Sequence, residues 1–255
     1  MIEVKSKIYS SKGEVVGELE VPEIFALPPR TDLIEKAFRS SMLSNRQPYG
    51  SYAFAGMRQV GHNLGANHGM SRIPRVAGSS RGVINASFVG GRSAHSPRSS
   101  KNLFIGINKK ERKLALGSAI SMTASLDYVK KRGHKIPDDL TLPLIADGSI
   151  ESIQKTKDAE YFLEQIGLKD DLKRAKDGIK IRAGRGKMRG RTYKTPRSVL
   201  IVGSDSSKLR AFASIPGVEI SSAKNLSIKK IAPGGKGGRL TIYTNDAIKI
   251  LEEVR

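Results

Sequence analysis

The 255-residue chain contains no cysteine. That absence excludes disulfides, thiolate nucleophiles and cysteine-based zinc or iron–sulfur sites. No run of 18 apolar residues occurs, so no membrane span is expected. The opening residues MIEVKSKIYS lack the apolar stretch of a signal peptide, and a cytoplasmic location is expected. Acids are missing locally. Residues 36–110 hold 12 Lys+Arg and no Asp or Glu, and residues 169–197 hold 12 Lys+Arg and 3 acids. These stretches account for the whole net charge of +21, as +12 and +9. The other 151 residues balance 21 bases with 21 acids. Catalytic groups are equally sparse. Asp138 and Asp139 are adjacent and point in different directions, so they do not form a catalytic pair. His62, His68 and His95 have no carboxylate in their segment, and no metal site or cofactor is expected. His134 is expected to interact with a helix end.

The neutral residues carry the fold. Val4, Ile8, Val15, Val16, Leu19 and Val21 form two short runs split at Ser10–Gly13, which reads as a β-hairpin or two edge strands. Asp32 and Glu35 are spaced as a capping pair for a helix through Leu33, Ile34, Ala37, Phe38 and Met42. A second helix is expected from Asn108, with Glu111 three residues on, through Leu116, Ile120, Thr123, Leu126 and Val129 to Gly133. Leu140–Ala146 reads as a strand buried on both faces. A helix at 158–166, a strand at 199–202, a helix at 206–214 and strands at 218–220 and 240–244 follow. A last helix runs through Ala247, Ile248, Leu251 and Val254. Such alternation predicts an α/β fold: a three-layer, Rossmann-like body (1–43 and 102–255) with a mostly parallel sheet, plus a long extended basic loop.

That loop is residues 44–101, with 9 Gly, 10 Ser and 3 Pro in 58 residues and no sustained period. Arg46, Arg58, Arg72, Arg75, Arg81, Arg92 and Arg98 recur along it, with Tyr49, Tyr52, Phe54, Met57, Leu64, Ile73, Val76 and Phe88 between them. Glycine allows close backbone approach, arginine pairs with phosphates, and aromatics stack on unpaired bases. Two limbs of about 29 residues extend at most roughly 95 Å each. A 151-residue body has a radius of gyration of about 15 Å. The arm therefore reaches deep into a partner, and is expected to be ordered only there.

The second stretch, 169–197, is expected to be a basic loop region on the body. Its run from Arg182 to Arg197 interleaves Gly184, Gly186 and Gly190 with cations, and phosphate binding is the better reading. The spacing at Gly184–Gly190 does not fit a dinucleotide fingerprint. Gly234–Gly238 lacks the Ser or Thr of a P-loop and reads as a turn.

Several motifs are specific enough to identify a relationship. Asn45–Gly50, Ala55–Arg58, Arg72–Val76, Gly91–Pro97 and Asn108–Ala115 resemble the archaeal and eukaryotic type of the universal large-subunit ribosomal protein "L four" family. Arg182–Arg191, Ala232–Gly235 and Leu240–Thr244 resemble it too, collinearly over essentially the whole chain. The resemblance implies a structural, non-enzymatic constituent of the large subunit. It also implies early assembly on large-subunit (23S) rRNA, neighbouring ribosomal proteins as partners, and a loop that lines the exit tunnel beside the nascent peptide. Arg72, Ile73, Pro74 and Arg75 then lie near the loop tip, and Leu64, Asn67, His68, Met70 and Arg72 line the tunnel. Candidate rRNA contacts on the arm are Arg46, Tyr49, Arg58, Arg72, Arg75, Arg81, Arg92, His95, Arg98 and Lys101. On the body they are Arg182, Arg185, Lys187, Arg189, Arg191, Lys194 and Arg197. The sequence departs from the family at 59–68, where the usual glutamate is missing and His68 stands in place of an arginine. His68 is expected to give the tunnel wall a pH-dependent charge.

Two other classes are weighed against this one. An RNA-modifying enzyme needs a Gly-rich cofactor turn after the first strand and a catalytic constellation, and the sequence has neither. A basic nucleic-acid-compacting protein rarely needs an α/β body, and Gly/aromatic arms suit irregular RNA better than duplex grooves.

Overall fold

A computed structural model describes residues 5–253. Val4 and Val254, assigned above to the first strand and the last helix, lie outside the described residues. The chain divides into two units: one runs up to Met42 and resumes at Ile105, the other is Leu43–Phe104.

The first unit opens with strands β1 (Lys5–Tyr9) and β2 (Val15–Glu20) and helix α1 (Thr31–Ser44). After the second unit come α2 (Lys109–Ser121), α3 (Leu126–Lys131), β3 (Leu144–Ala146), α4 (Thr156–Gln165) and α5 (Lys169–Asp177). A small hairpin, β4 (Lys180–Ile181) and β5 (Tyr193–Lys194), is followed by β6 (Leu200–Gly203), α6 (Arg210–Ala213) and β7 (Glu219–Ser222). The chain then forms α7 (Ile228–Ile231), β8 (Thr241–Thr244) and α8 (Asn245–Glu253).

The main sheet has six strands in the order β2-β1-β3-β8-β6-β7. Only the β1–β2 hairpin is antiparallel; every other neighbouring pair is parallel. The expected mostly parallel α/β sheet is therefore present. Its central strands are buried on both faces because successive side chains point to opposite sides. Leu144, Ala146, Ile201 and Ile242 join Phe162, Leu163 and Phe212 in one core. Ile145, Leu200, Val202 and Tyr243 join Ile34, Ala119, Ile120 and Ile248 in the other. Helices α4 to α6 cover the first face, and α1, α2, α7 and α8 cover the second.

Several expectations need correction. The helix expected to run from Asn108 to Gly133 is broken. Thr123 Oγ1 donates to the Ile120 carbonyl at 2.6 Å and accepts from the Tyr243 hydroxyl at 3.0 Å. That side-chain bond competes with the helical ladder, and a 3-10 turn leads to an extended Ser125 (φ −100°, ψ 123°) before α3 begins. The strand expected from Leu140 is only three residues long and starts after Pro143, which has no N–H to give to a sheet ladder. Of the capping acids, Asp32 lies inside the first turn of α1 and pairs with Arg30 (Nη2–Oδ2 2.7 Å), whereas Glu111 accepts the backbone N–H of the N-cap Asn108 as expected and also bonds Lys36 at 2.8 and 2.9 Å. The region read as a basic loop begins with a helix, α5, whose Leu172 and Ala175 are buried.

Candidate nucleic-acid interface

The unit Leu43–Phe104 has no helix beyond the end of α1 and no strand; isolated bridges hold it. His62 and Arg75 exchange both backbone hydrogen bonds at 3.0 Å and close a tip loop between them. Leu64, Asn67, His68, Met70 and Arg72 all lie on that loop and are exposed. A second turn closes beside it, with Val83 N–H donating to Pro74 O at 2.9 Å and Val76 N–H to Arg81 O at 3.1 Å. Val83 is 2% exposed and is the centre of a very small core.

Below this, two limbs meet backbone to backbone. Ser51 N–H donates to Pro97 O at 3.0 Å. Gly56 (φ +78°) lies so close to the opposite limb that a Cβ would stand 2.4 Å from the Gly91 carbonyl oxygen. Only glycine satisfies both the backbone angle and the approach. Ile84, a β-branched residue, is held at φ 69°, and its carbonyl accepts from Arg92 N–H at 3.2 Å. Such strain persists only where surrounding bonds over-determine the backbone.

The arm cations fall into three groups. Arg75 donates to the Ser80 carbonyl and to Ser71 Oγ (3.0 Å), so its guanidinium fastens the tip turn. Arg72, Arg81, Arg92, His95, Arg98 and Lys101 find no side-chain hydrogen-bond or ion-pair partner among the described residues. Arg46 and Arg58 lie over the rings of Tyr49 and Tyr52, at 5.5 and 4.6 Å from the centroids.

The Arg182–Arg197 run projects from the β4–β5 hairpin. Arg182 closes its neck, donating from Nε to Arg191 O at 3.0 Å and from Nη2 to Tyr193 O at 3.3 Å. Between these, a 3-10 turn at Lys187–Arg189 ends on Gly190 at φ 74°. Arg185, Lys187, Arg189, Arg191 and Lys194 are exposed and unpartnered among the described residues. Like charges brought together without counter-charges leave a surface that favours a polyanion. Arg197 stands apart, bonded to Lys229 O at 3.1 Å and Glu219 at 3.4 Å.

Sequence reasoning missed what anchors this cationic loop. Asp171, fully buried on α5, accepts from His134 Nδ1 (3.1 Å), Lys135 N–H (3.0 Å), Arg174 Nε (2.9 Å) and Ser198 Oγ (2.5 Å). Burial alone pushes its pKa up. The hydrogen bonds from His134, Arg174 and Ser198 outweigh that and hold the carboxyl well below the usual carboxylate range. His134 is thus a buried bridge rather than a helix cap. Its Nε2 accepts the Leu240 N–H at 3.3 Å, so its Nδ1 carries the proton that bonds Asp171. Arg174 also donates to Arg197 O at 2.9 Å, so both ends of the loop are tied to α5. Arg239 is buried behind them and reaches Ser198 O (3.0 Å), Glu219 (2.5 Å) and Lys230 O (2.7 Å). Arg132 caps the Pro233 carbonyl at 2.7 Å; burial, then Arg239 and Arg197, lower its pKa to about 10. The spacing of Leu168, Asp171, Leu172 and Ala175 was the available signal for this helix, masked by the charge around it.

Among the described residues no helix is long and apolar enough to cross a membrane, and no cluster of His, Asp and Glu has metal-binding geometry.

Comparison with known proteins gives a consistent result. The profile of the ribosomal protein L4/L1 family matches residues 19–254. The chain is 57% identical to the large ribosomal subunit protein uL4 of Thermoplasma volcanium over 249 residues, 98% of each chain. It is 46% identical to the uL4 of Methanocaldococcus jannaschii, covering 98% of this chain and 99% of that one. It is 41% identical to the uL4 of Saccharolobus solfataricus, covering 99% and 96%.

Proposed function

Because the chain belongs to the ribosomal protein L4/L1 family, and is a structural constituent of the large ribosomal subunit rather than an enzyme, we propose a division of labour between its parts. The Rossmann-like body is a handle that docks on large-subunit rRNA through the loop from Arg182 to Arg197. The extended basic arm, 44–101, threads into the rRNA, and its tip loop lines the nascent-peptide exit tunnel in the cytoplasmic ribosome. Neighbouring ribosomal proteins surround the body.

The observation that carries this reading is the set of cations left without partners in two acid-poor places. Arg185, Lys187, Arg189, Arg191 and Lys194 stand on one, and Arg72, Arg81, Arg92, Arg98 and Lys101 on the other. Arginines with structural work, such as Arg75, Arg182 and Arg239, are bonded within the chain. Tip residues Leu64, Asn67 and Met70 are uncharged, which suits a wall that a peptide slides past rather than one that grips phosphates.

A sedimentation profile tests the proposal. The protein is expected to co-migrate with the large subunit after a wash of roughly 0.5 M salt, whereas non-specific phosphate binding collapses under such salt. Release into the free-protein fractions contradicts it. Crosslinking from the tip loop to a stalled nascent chain tests the tunnel assignment.

A further inference from the structure

The limbs of the arm are not uniform, and two concave niches sit side by side where they converge. The first, of about 790 Å³, is bordered by Tyr52, Met57, Arg92, His95 and Arg98. The second, of about 600 Å³, is bordered by Arg46, Pro48, Tyr49, Arg98, Lys101 and Leu103. His95, Ser96, Arg98 and Ser100 border both. Both volumes fall within the roughly 300–1,000 Å³ of small-ligand sites.

Each niche combines the same parts. One tyrosine stands in each, with one arginine already over its ring: Arg58 at 4.6 Å from Tyr52 and Arg46 at 5.5 Å from Tyr49. Tyr52 is further supported edge-on by Phe54, with centroids 5.8 Å apart. Tyr52 and Tyr49 nevertheless remain 56% and 62% exposed as residues, which leaves room for stacking. Arg98 belongs to both niches, and its guanidinium has no partner among the described residues. An aromatic ring beside an unpaired guanidinium in a concave site suits a planar, uncharged group that carries an anion next to it. An unstacked nucleobase with its phosphate is that group. A base inside a duplex has no free face to offer, and a bare phosphate leaves the ring unused.

We propose that these niches are a paired pocket for two unpaired nucleotides of RNA, one base stacking on Tyr49 and one on Tyr52, with Arg98 holding phosphate between them. The proposal rests on the rRNA-binding reading above and assigns it a specific site.

The test uses the full-length chain, a large-subunit rRNA transcript and filter binding at several salt concentrations. The variants are Tyr49→Leu, Tyr52→Leu, Tyr49→Phe and Tyr52→Phe. Each Leu variant is expected to bind roughly five- to a hundredfold more weakly, with the slope of log K against log salt unchanged, because stacking releases no counterions. Each Phe variant is expected to stay within about twofold, because the stacking face is retained. Ultraviolet crosslinks from the two tyrosines are expected on unpaired nucleotides. Leu variants that bind as the unaltered chain does, or crosslinks confined to base-paired nucleotides, overturn the paired pocket while leaving the rRNA-binding reading intact. If the unaltered chain itself fails to bind the transcript, the broader reading fails and this one with it.

Discussion

Asp171 shows how one residue sets the stability of a surface it never reaches. It is buried, it accepts four hydrogen bonds, and its pKa is depressed because its partners favour the charged form. A carboxyl with a depressed folded-state pKa contributes stability above its unfolded pKa of about 3.9, and loses that contribution as pH falls below it. Thermal melts of the unaltered chain are therefore expected to drop steeply below about pH 4, and those of Asp171→Asn to drop less. At neutral pH, Asp171→Ala is expected to cost about 3–5 kcal/mol, because Arg174 and the Ser198 hydroxyl lose a buried acceptor. Denaturant titration measures it. Asp32 also has a depressed pKa, about 2, through its bond to Arg30, but the pair is exposed and its loss is expected to leave the melt unchanged.

At the scale of elements, the arm and the body differ in what holds them. Neither main core includes a residue between 43 and 104. The arm has instead isolated bridges, tight turns and limb contacts of the kind seen at Gly56. Removing 50–95 is thus expected to leave one cooperative calorimetric transition, within about 3 °C of the unaltered chain. The cut ends lie close together, since Ser51 N–H reaches Pro97 O at 3.0 Å, so a short linker closes the gap. A broad or absent transition contradicts the separation. Gly56→Ala places a side chain against the Gly91 carbonyl, and parted limbs are expected to show as faster proteolysis within 50–100 while the body's melt stays put.

For the whole molecule, net charge matters less than where its counter-charges fail to appear. Replacing Arg185, Lys187, Arg189 and Arg191 by Gln removes four unpartnered cations and no core contact. If all four touch phosphate, the slope of log K against log salt is expected to fall in magnitude by about 3. Gln at Arg182, which closes the loop's neck, is expected instead to loosen the loop. The α/β class, the division into neutral and cationic parts, and the family were legible along the chain, because apolar periodicity, charge distribution and linear motifs are all local properties. Which cations are structural and which are free emerged with the folded contacts. Arg75, Arg182 and Arg239 look like their neighbours in composition, and only through-space carbonyl and carboxylate partners separate them. The folded contacts also establish that α5 exists, that Asp171 and His134 anchor the cationic loop, and that Tyr49 and Tyr52 stand in adjacent niches. The anchoring depends on contacts between residues far apart in the chain, from 27 positions for Asp171 and Ser198 to 106 for His134 and Leu240. No local pattern encodes such pairings, because they form only once the sheet has brought its loops together.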